Sequence, residues 1–141
     1  MSGFGIIPGG PEDRDAVAAF IGQLYAAHDY NMDWPALQTR ADEMLAAGPV
    51  FFIEQSDRRI GYAALKDMGD HMYVRHFVID QEQRGKGMGS SAFKALQAAQ
   101  FAGRQVRLDA PHETPGPKAF WERQGFAVMG YTMRRNAEAA A

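Results

Sequence analysis

The stretch from Tyr73 to Leu96 sets the terms for the rest of the chain. A β-branched and aromatic run, Tyr73 to Ile79, gives way to a polar hinge at Asp80 to Gln83, then to a glycine-rich turn with two cations, Arg84 to Gly89, and then to a helical pattern. Strand, turn and helix in that order aim backbone N–H groups from a helix N-terminus at whatever fills the turn, and that end of a helix favours an anion. Gly85, Gly87 and Gly89, at alternate positions, remove the Cβ atoms that would hold a ligand off the backbone. A pyrophosphate suits such a cradle. The turn is not a dinucleotide fingerprint, because Gly-x-Gly-x-x-Gly begun at Gly85 requires glycine where Ser90 stands. It is not a Walker A loop, since no Gly-Lys-Ser/Thr closes a four-residue spacer. The plainer alternative is a strand-to-helix turn with flexible glycines.

Periodicity places the other elements around this one. Phe4 to Ile7 predicts a short first strand before Pro8-Gly9-Gly10. Val17, Phe20, Ile21, Leu24 and His28 recur at helical spacing, so a first helix ends near His28. Asp33 caps a second helix with Pro35 in its first turn, Leu37, Ala41, Met44 and Leu45 along its apolar stripe, and Gly48-Pro49 to stop it. Three strands follow as a meander, Val50 to Ile53, Ile60 to Leu65 and Met72 to Ile79. After the glycine turn, Ala92, Phe93, Leu96 and Ala99 mark a third helix ending near Gly103. A strand is expected over Gln105 to Ala110, a short fourth helix over Lys118 to Gln124 stopped by Gly125, and a last strand over Phe126 to Arg134. The order predicts an α/β fold, one domain over 1–135 with a mixed, mostly antiparallel sheet and four helices, and a frayed tail over 136–141.

Composition excludes several function classes. A chain of 141 residues with 46% hydrophobic and 23% charged residues can bury a core and is not a disordered segment. A formal charge of −2 supplies no global field toward nucleic acid or an anionic membrane, so neither is an expected partner. With no cysteine, a covalent route through a thiolate is closed and no disulfide forms. Neither a leader peptide nor a membrane span is visible, and a cytoplasmic location is the expectation. No His, Asp or Glu spacing suggests a metal site.

Two segments resemble one known family. Arg84-Gly85-Lys86-Gly87-Met88-Gly89 is similar to the Gln/Arg-x-x-Gly-x-Gly/Ala signature of the GNAT superfamily of N-acetyltransferases, and Ala119-Phe120-Trp121-Glu122-Arg123-Gln124-Gly125-Phe126 resembles that family's Phe-Tyr-x-x-x-Gly-Phe segment. The two stand in the family order, and the predicted element order is the family's as well. The resemblance implies a fold and an activity: transfer of an acetyl group from acetyl-coenzyme A to an amine in a ternary complex. It implies that Arg84, Gly85, Lys86, Gly87, Met88, Gly89 and Ser90 surround the coenzyme A pyrophosphate, and that the pantetheine arm pairs with the backbone at Phe77 and Ile79, with Val78 between them in the cofactor-binding stretch. Many members dimerise, which leaves a homodimer open for this chain.

The chain departs from the family where proton transfer is concerned. The family often places a tyrosine, as acid to the leaving thiolate, where Trp121 stands here, and an indole N–H is not a proton source. Tyr131 is one replacement, and water is another. Seven residues before Trp121, where an asparagine often touches the coenzyme arm, stands Thr114, between His112-Glu113 and Pro115. For a base, His76 has the right pKa range but alternates away from the face that Tyr73 and Arg75 share with Phe77 and Ile79, unless a bulge re-aims it. Arg75 cannot be a base and suits an acid, including a substrate carboxylate. Asp29, Tyr30 and Asp33, between the first two helices, would attract a cationic amine beside Tyr73 and Arg75, although polar loops carry acids without such a role. The rival of another class is a non-catalytic acyl-coenzyme A-binding module.

Overall fold

The computed structural model describes residues 3–111 and 115–137. Two compact units divide the chain, 1–109 and 110–141, and each is taken by itself.

In the first unit, β1 (Gly5–Pro8) is followed by a 3-10 turn (Pro11–Asp13), α1 (Arg14–Ala26), α2 (Trp34–Ala47), β2 (Val50–Gln55), β3 (Arg58–Asp67), β4 (Met72–Ile79), a second 3-10 turn (Gln81–Gln83), α3 (Met88–Gln100) and β5 (Val106–Arg107). The strands form one sheet in sequence order, antiparallel from β1 to β4 and parallel between β4 and β5. The expected meander is present. Asp33 caps α2 as its position predicts, accepting from the Ala36 N–H at 2.9 Å.

Strand alternation gives the sheet two apolar faces. Phe52, Tyr62, Ala64 and Val78 pack against Val17, Ala18, Phe20 and Ile21 of α1 and Leu37, Ala41 and Met44 of α2. Ile53, Ile60 and Ile79 pack on the other face with Ala92 of α3. Each large side chain taken out of water on these faces contributes roughly 1.5–3 kcal/mol. Phe20 stacks on Tyr62 with centroids 6.1 Å apart, while Phe77 meets Phe93 of α3 edge-on at 5.4 Å. Gly61 is required where β3 passes β4, because a Cβ there would lie 2.8 Å from the Val78 carbonyl oxygen.

Two features of β4 position the site. First, Ala64 pairs with His76 and Leu65 with Val74, so Arg75 is an extra residue in the ladder, a β-bulge. Second, β5 pairs with β4 only at Met72 and Tyr73, shorter than the strand expected over Gln105 to Ala110. Arg104 anchors the approach to β5, donating to the Asp67 carboxylate at 2.7 Å and the Gly69 carbonyl at 2.8 Å.

The second unit carries α4 (Pro115–Arg123), which ends as expected at Gly125 in a left-handed conformation (φ 96°). Phe126 N–H then bonds the Trp121 carbonyl at 3.1 Å. The strand expected over Phe126 to Arg134 is not formed; residues 126–137 carry no regular secondary structure, and Val128, Met129, Tyr131 and Met133 are exposed. An alternating apolar pattern specifies a face that fits a sheet, but the strand exists only where a neighbouring strand completes its ladder.

Candidate active site

The glycine turn has the geometry of an anion cradle. Asp80 opens the second 3-10 turn, accepting from the Glu82 N–H at 3.2 Å, and the Gln81 N–H is held by the Gln23 side chain at 2.9 Å. Arg84 follows, its Nε–H bonded to the Ile79 carbonyl at 2.9 Å, which directs the cation back over the end of β4. Gly85 and Gly87 both take left-handed conformations, with φ of 80° and 73°. Only glycine does so without strain, and the space a Cβ would occupy at either position is open. Gly87 is the N-cap of α3, and no side chain caps that end. The first N–H groups of a helix have no partner within it, so those of Met88 and Gly89 stand at the positive end of α3 beside the exposed Lys86. Ser90 lies in the same first turn.

From this cradle the edge of β4 runs back to the bulge. The Asp80 N–H bonds β3 at the Ile60 carbonyl, and the Met72 N–H bonds the Gln105 carbonyl beside β5. Both are even-numbered, yet they point to opposite edges, because the extra residue at Arg75 reverses the alternation between them. Past the bulge, the backbone groups of odd-numbered residues, Ile79 among them, therefore face the edge that β5 covers only at Met72 and Tyr73. The Phe77, Val78 and Ile79 side chains belong to the two apolar faces, which leaves backbone as what this edge offers a ligand.

His76 is buried on the α1 side. Its Nδ1 lies 3.0 Å from the Tyr62 hydroxyl and its Nε2 3.4 Å from the Tyr25 hydroxyl, which in turn accepts from Arg40 Nη1 at 2.7 Å. Burial, with the guanidinium groups of Arg75 and Arg40 adding to it, pulls the His76 pKa from 6.5 down to about 4, so the ring is neutral at pH 7. The unfolded chain takes up this proton at higher pH than the folded one. The resulting stability is complete above about pH 6.5 and declines as pH falls toward 4. A difference of that size is worth roughly 3 kcal/mol. Urea unfolding at pH 7 and pH 4 is expected to show wild type losing about that much more stability than His76→Gln; equal losses would contradict the assignment.

The other expected site residues separate. The Tyr73 hydroxyl donates to Asp109, and burial together with that bond pushes the Tyr73 pKa up to about 12. Arg75 is half-buried at the bulge. Tyr30 is 57% exposed and packs edge-on to Tyr25 at 5.6 Å; Asp29 beside it holds a left-handed conformation (φ 58°). The Asp33 carboxylate is engaged as the α2 cap. In the second unit, Trp121 contacts the rings of Phe120 and Phe126, and Tyr131 is exposed. Thr114, with His112 and Glu113, lies outside the described residues. Those described include no metal-holding cluster and no helix long and apolar enough to cross a membrane. Tyr25 and Arg40 are missing from the sequence-derived set; the one signal for Tyr25 is a polar-tipped aromatic close to the apolar stripe of α1.

Comparison with known proteins gives the family and the fold. A family model described as Acetyltransferase (GNAT) domain matches residues 46–128, more than half the chain. Among solved structures, a possible acetyltransferase from Clostridium difficile 630 superposes with TM-score 0.75 at 17% identity, over 97% of this chain and 99% of the other. An aminoglycoside N-acetyltransferase in complex with CoA gives 0.71 at 15% identity, over 99% and 97%. A ribosomal-protein-alanine N-acetyltransferase from Brucella melitensis biovar Abortus 2308 gives 0.71 at 17%, over 94% and 99%. At such identities the likeness is one of fold. No curated protein sequence matches the chain.

Proposed function

Because this chain belongs to the GNAT family of acetyltransferases, we propose that it moves an acetyl group from acetyl-coenzyme A to a primary amine by direct attack in a ternary complex. The observation that carries this reading is the turn from Arg84 to Gly89, which combines two left-handed glycines and an uncapped helix N-terminus with two cations in the same six residues, the features of a pyrophosphate cradle. Acetyl-coenzyme A supplies an acyl group already activated as a thioester. Arg84, Gly85, Lys86, Gly87, Met88, Gly89 and Ser90 would hold its pyrophosphate. The backbone of Phe77 and Ile79, on either side of Val78, would align its arm, four residues of strand from Ile79 to the bulge covering about 13 Å. Thr114 and Trp121 are the further contacts that the family resemblance assigns.

The acceptor must be held and must be neutral when it attacks. An amine of pKa near 10.4 is about one part in a thousand neutral at physiological pH, so deprotonation costs roughly 4 kcal/mol. Asp29, Tyr30 and Asp33 would attract the ammonium form, and Tyr73 and Arg75 would orient a substrate with an acidic group, which together suit an amino-acid-like acceptor. His76 and Tyr131 are the proton-transfer groups expected from the sequence. The aminoglycoside and ribosomal-protein enzymes named above use amine acceptors, in keeping with this class of substrate.

A library of amines with acetyl-coenzyme A, read by thiol release, tests the proposal. Amine-dependent release is expected, with initial-rate lines that intersect when both substrates are varied. Parallel lines would contradict direct attack. Coenzyme A binding without thiol release from any amine would favour the non-catalytic acyl-coenzyme A-binding module.

A further inference from the structure

The polar chain through His76 leads to Tyr25, a residue in none of the groups assigned above. Arg40 Nη1 donates to the Tyr25 oxygen at 2.7 Å, and His76 Nε2 lies 3.4 Å from it. Across the imidazole, Nδ1 and the Tyr62 hydroxyl are 3.0 Å apart. Tyr62 is fully buried. A buried phenol gives its hydrogen to a partner, and Nδ1 is the acceptor within reach. A neutral imidazole then carries its own hydrogen on Nε2, facing Tyr25. The Tyr25 oxygen thus accepts from two donors, one of them cationic, and its own O–H hydrogen is directed away from both.

Placement adds to this. Tyr25 sits in the last turn of α1, half-buried, directly before the connection that carries Asp29 and Tyr30. His76 follows the bulge at Arg75, where the β4 edge that would carry the acyl donor's arm ends. Among the described residues, the charged groups around the pair are Arg40 of α2, itself paired with Glu43 at 2.9 Å, and Arg75 of β4; Tyr62 of β3 closes the far side.

We propose that Tyr25 is the proton-transfer residue of the acetyl transfer described above, an inference that rests on that reading. As the nitrogen–carbon bond forms and the carbon–sulfur bond breaks, the Tyr25 hydroxyl protonates the departing thiolate. The phenolate, held by Arg40 and the His76 Nε2–H, takes the proton that the acetylated nitrogen must lose. Tyr25 ends as it began, and the proton shed by the ammonium before attack goes to solvent. His76, Arg40 and Tyr62 are positioning residues in this scheme.

Tyr25→Phe keeps the ring and removes the hydroxyl. It is expected to lower kcat by about 100-fold or more, the usual scale for a proton-transfer group, with the KM for acetyl-coenzyme A and the melting temperature nearly unchanged. Should Tyr25→Phe fail to fold, Arg40→Gln is expected to lower kcat about tenfold or more by removing the cation beside the phenolate. A readout independent of turnover is the Cζ resonance of ¹³C-labelled Tyr25, which is expected to shift when coenzyme A brings its thiol beside the hydroxyl. Retention of kcat within about threefold in Tyr25→Phe overturns the inference, as does a Tyr25 resonance unmoved by bound coenzyme A. Those outcomes in an active wild type defeat this inference alone; a wild type inactive toward every amine defeats the functional reading with it.

Discussion

Gly87→Glu is expected to abolish coenzyme A binding: in titration calorimetry the variant should give no heat beyond dilution, where wild type is expected to give a binding curve. The substitution puts a carboxylate at the N-cap of α3, where the pyrophosphate is proposed to sit. Like charges about 4 Å apart repel by roughly 4 kcal/mol at the effective dielectric of a protein surface, enough for a thousandfold loss per phosphate. The variant also forces a non-glycine residue to φ 73°, at a folding cost of about 1–2 kcal/mol. Gly87→Ala separates the effects, because it carries the same backbone strain without the charge. It is expected to melt like Gly87→Glu yet retain measurable binding. Equal loss in both variants would mean that the turn's shape, not its electrostatics, is what matters.

Phe93→Ala is expected to cost about 3–5 kcal/mol of stability, read by denaturant unfolding. Phe93 is 1% exposed, meets Phe77 edge-on at 5.4 Å and lies 5.9 Å from Phe101. It fixes α3 to the sheet one turn after the glycine cradle. Loosening it leaves the cradle's N–H groups without a fixed direction, so coenzyme A affinity is expected to fall although no contact with the ligand is touched. Phe93→Leu, which refills most of the space, should recover most of both losses. Unchanged affinity in a destabilised Phe93→Ala protein would show that the turn holds its shape independently of α3 packing.

The parts of this site that depend on local chemistry are legible in the sequence. Alternating glycines after a β-branched run announce a turn with left-handed residues, and Gly85 and Gly87 adopt that conformation. Asp33 before Trp34-Pro35 announces a helix cap and makes one. The bulge at Arg75 is not legible, because it is a property of two strands counted against each other. Nor is the environment of His76: alternation places it opposite Phe77, but the hydroxyl at its Nε2 comes from Tyr25, 51 residues away. The pattern from Phe126 to Arg134 reads as a strand because alternation is local, whereas the ladder that would make it one is not.

In the proposed function, the backbone from Gly85 to Gly89 holds the coenzyme A pyrophosphate. This is tested most directly by following amide resonances of the ¹⁵N-labelled protein as coenzyme A is added. The largest shifts are expected on Gly85, Gly87, Met88 and Gly89, and they are expected to persist with the pyrophosphate-containing fragment alone. Saturable coenzyme A binding that leaves those four amides unmoved would contradict it.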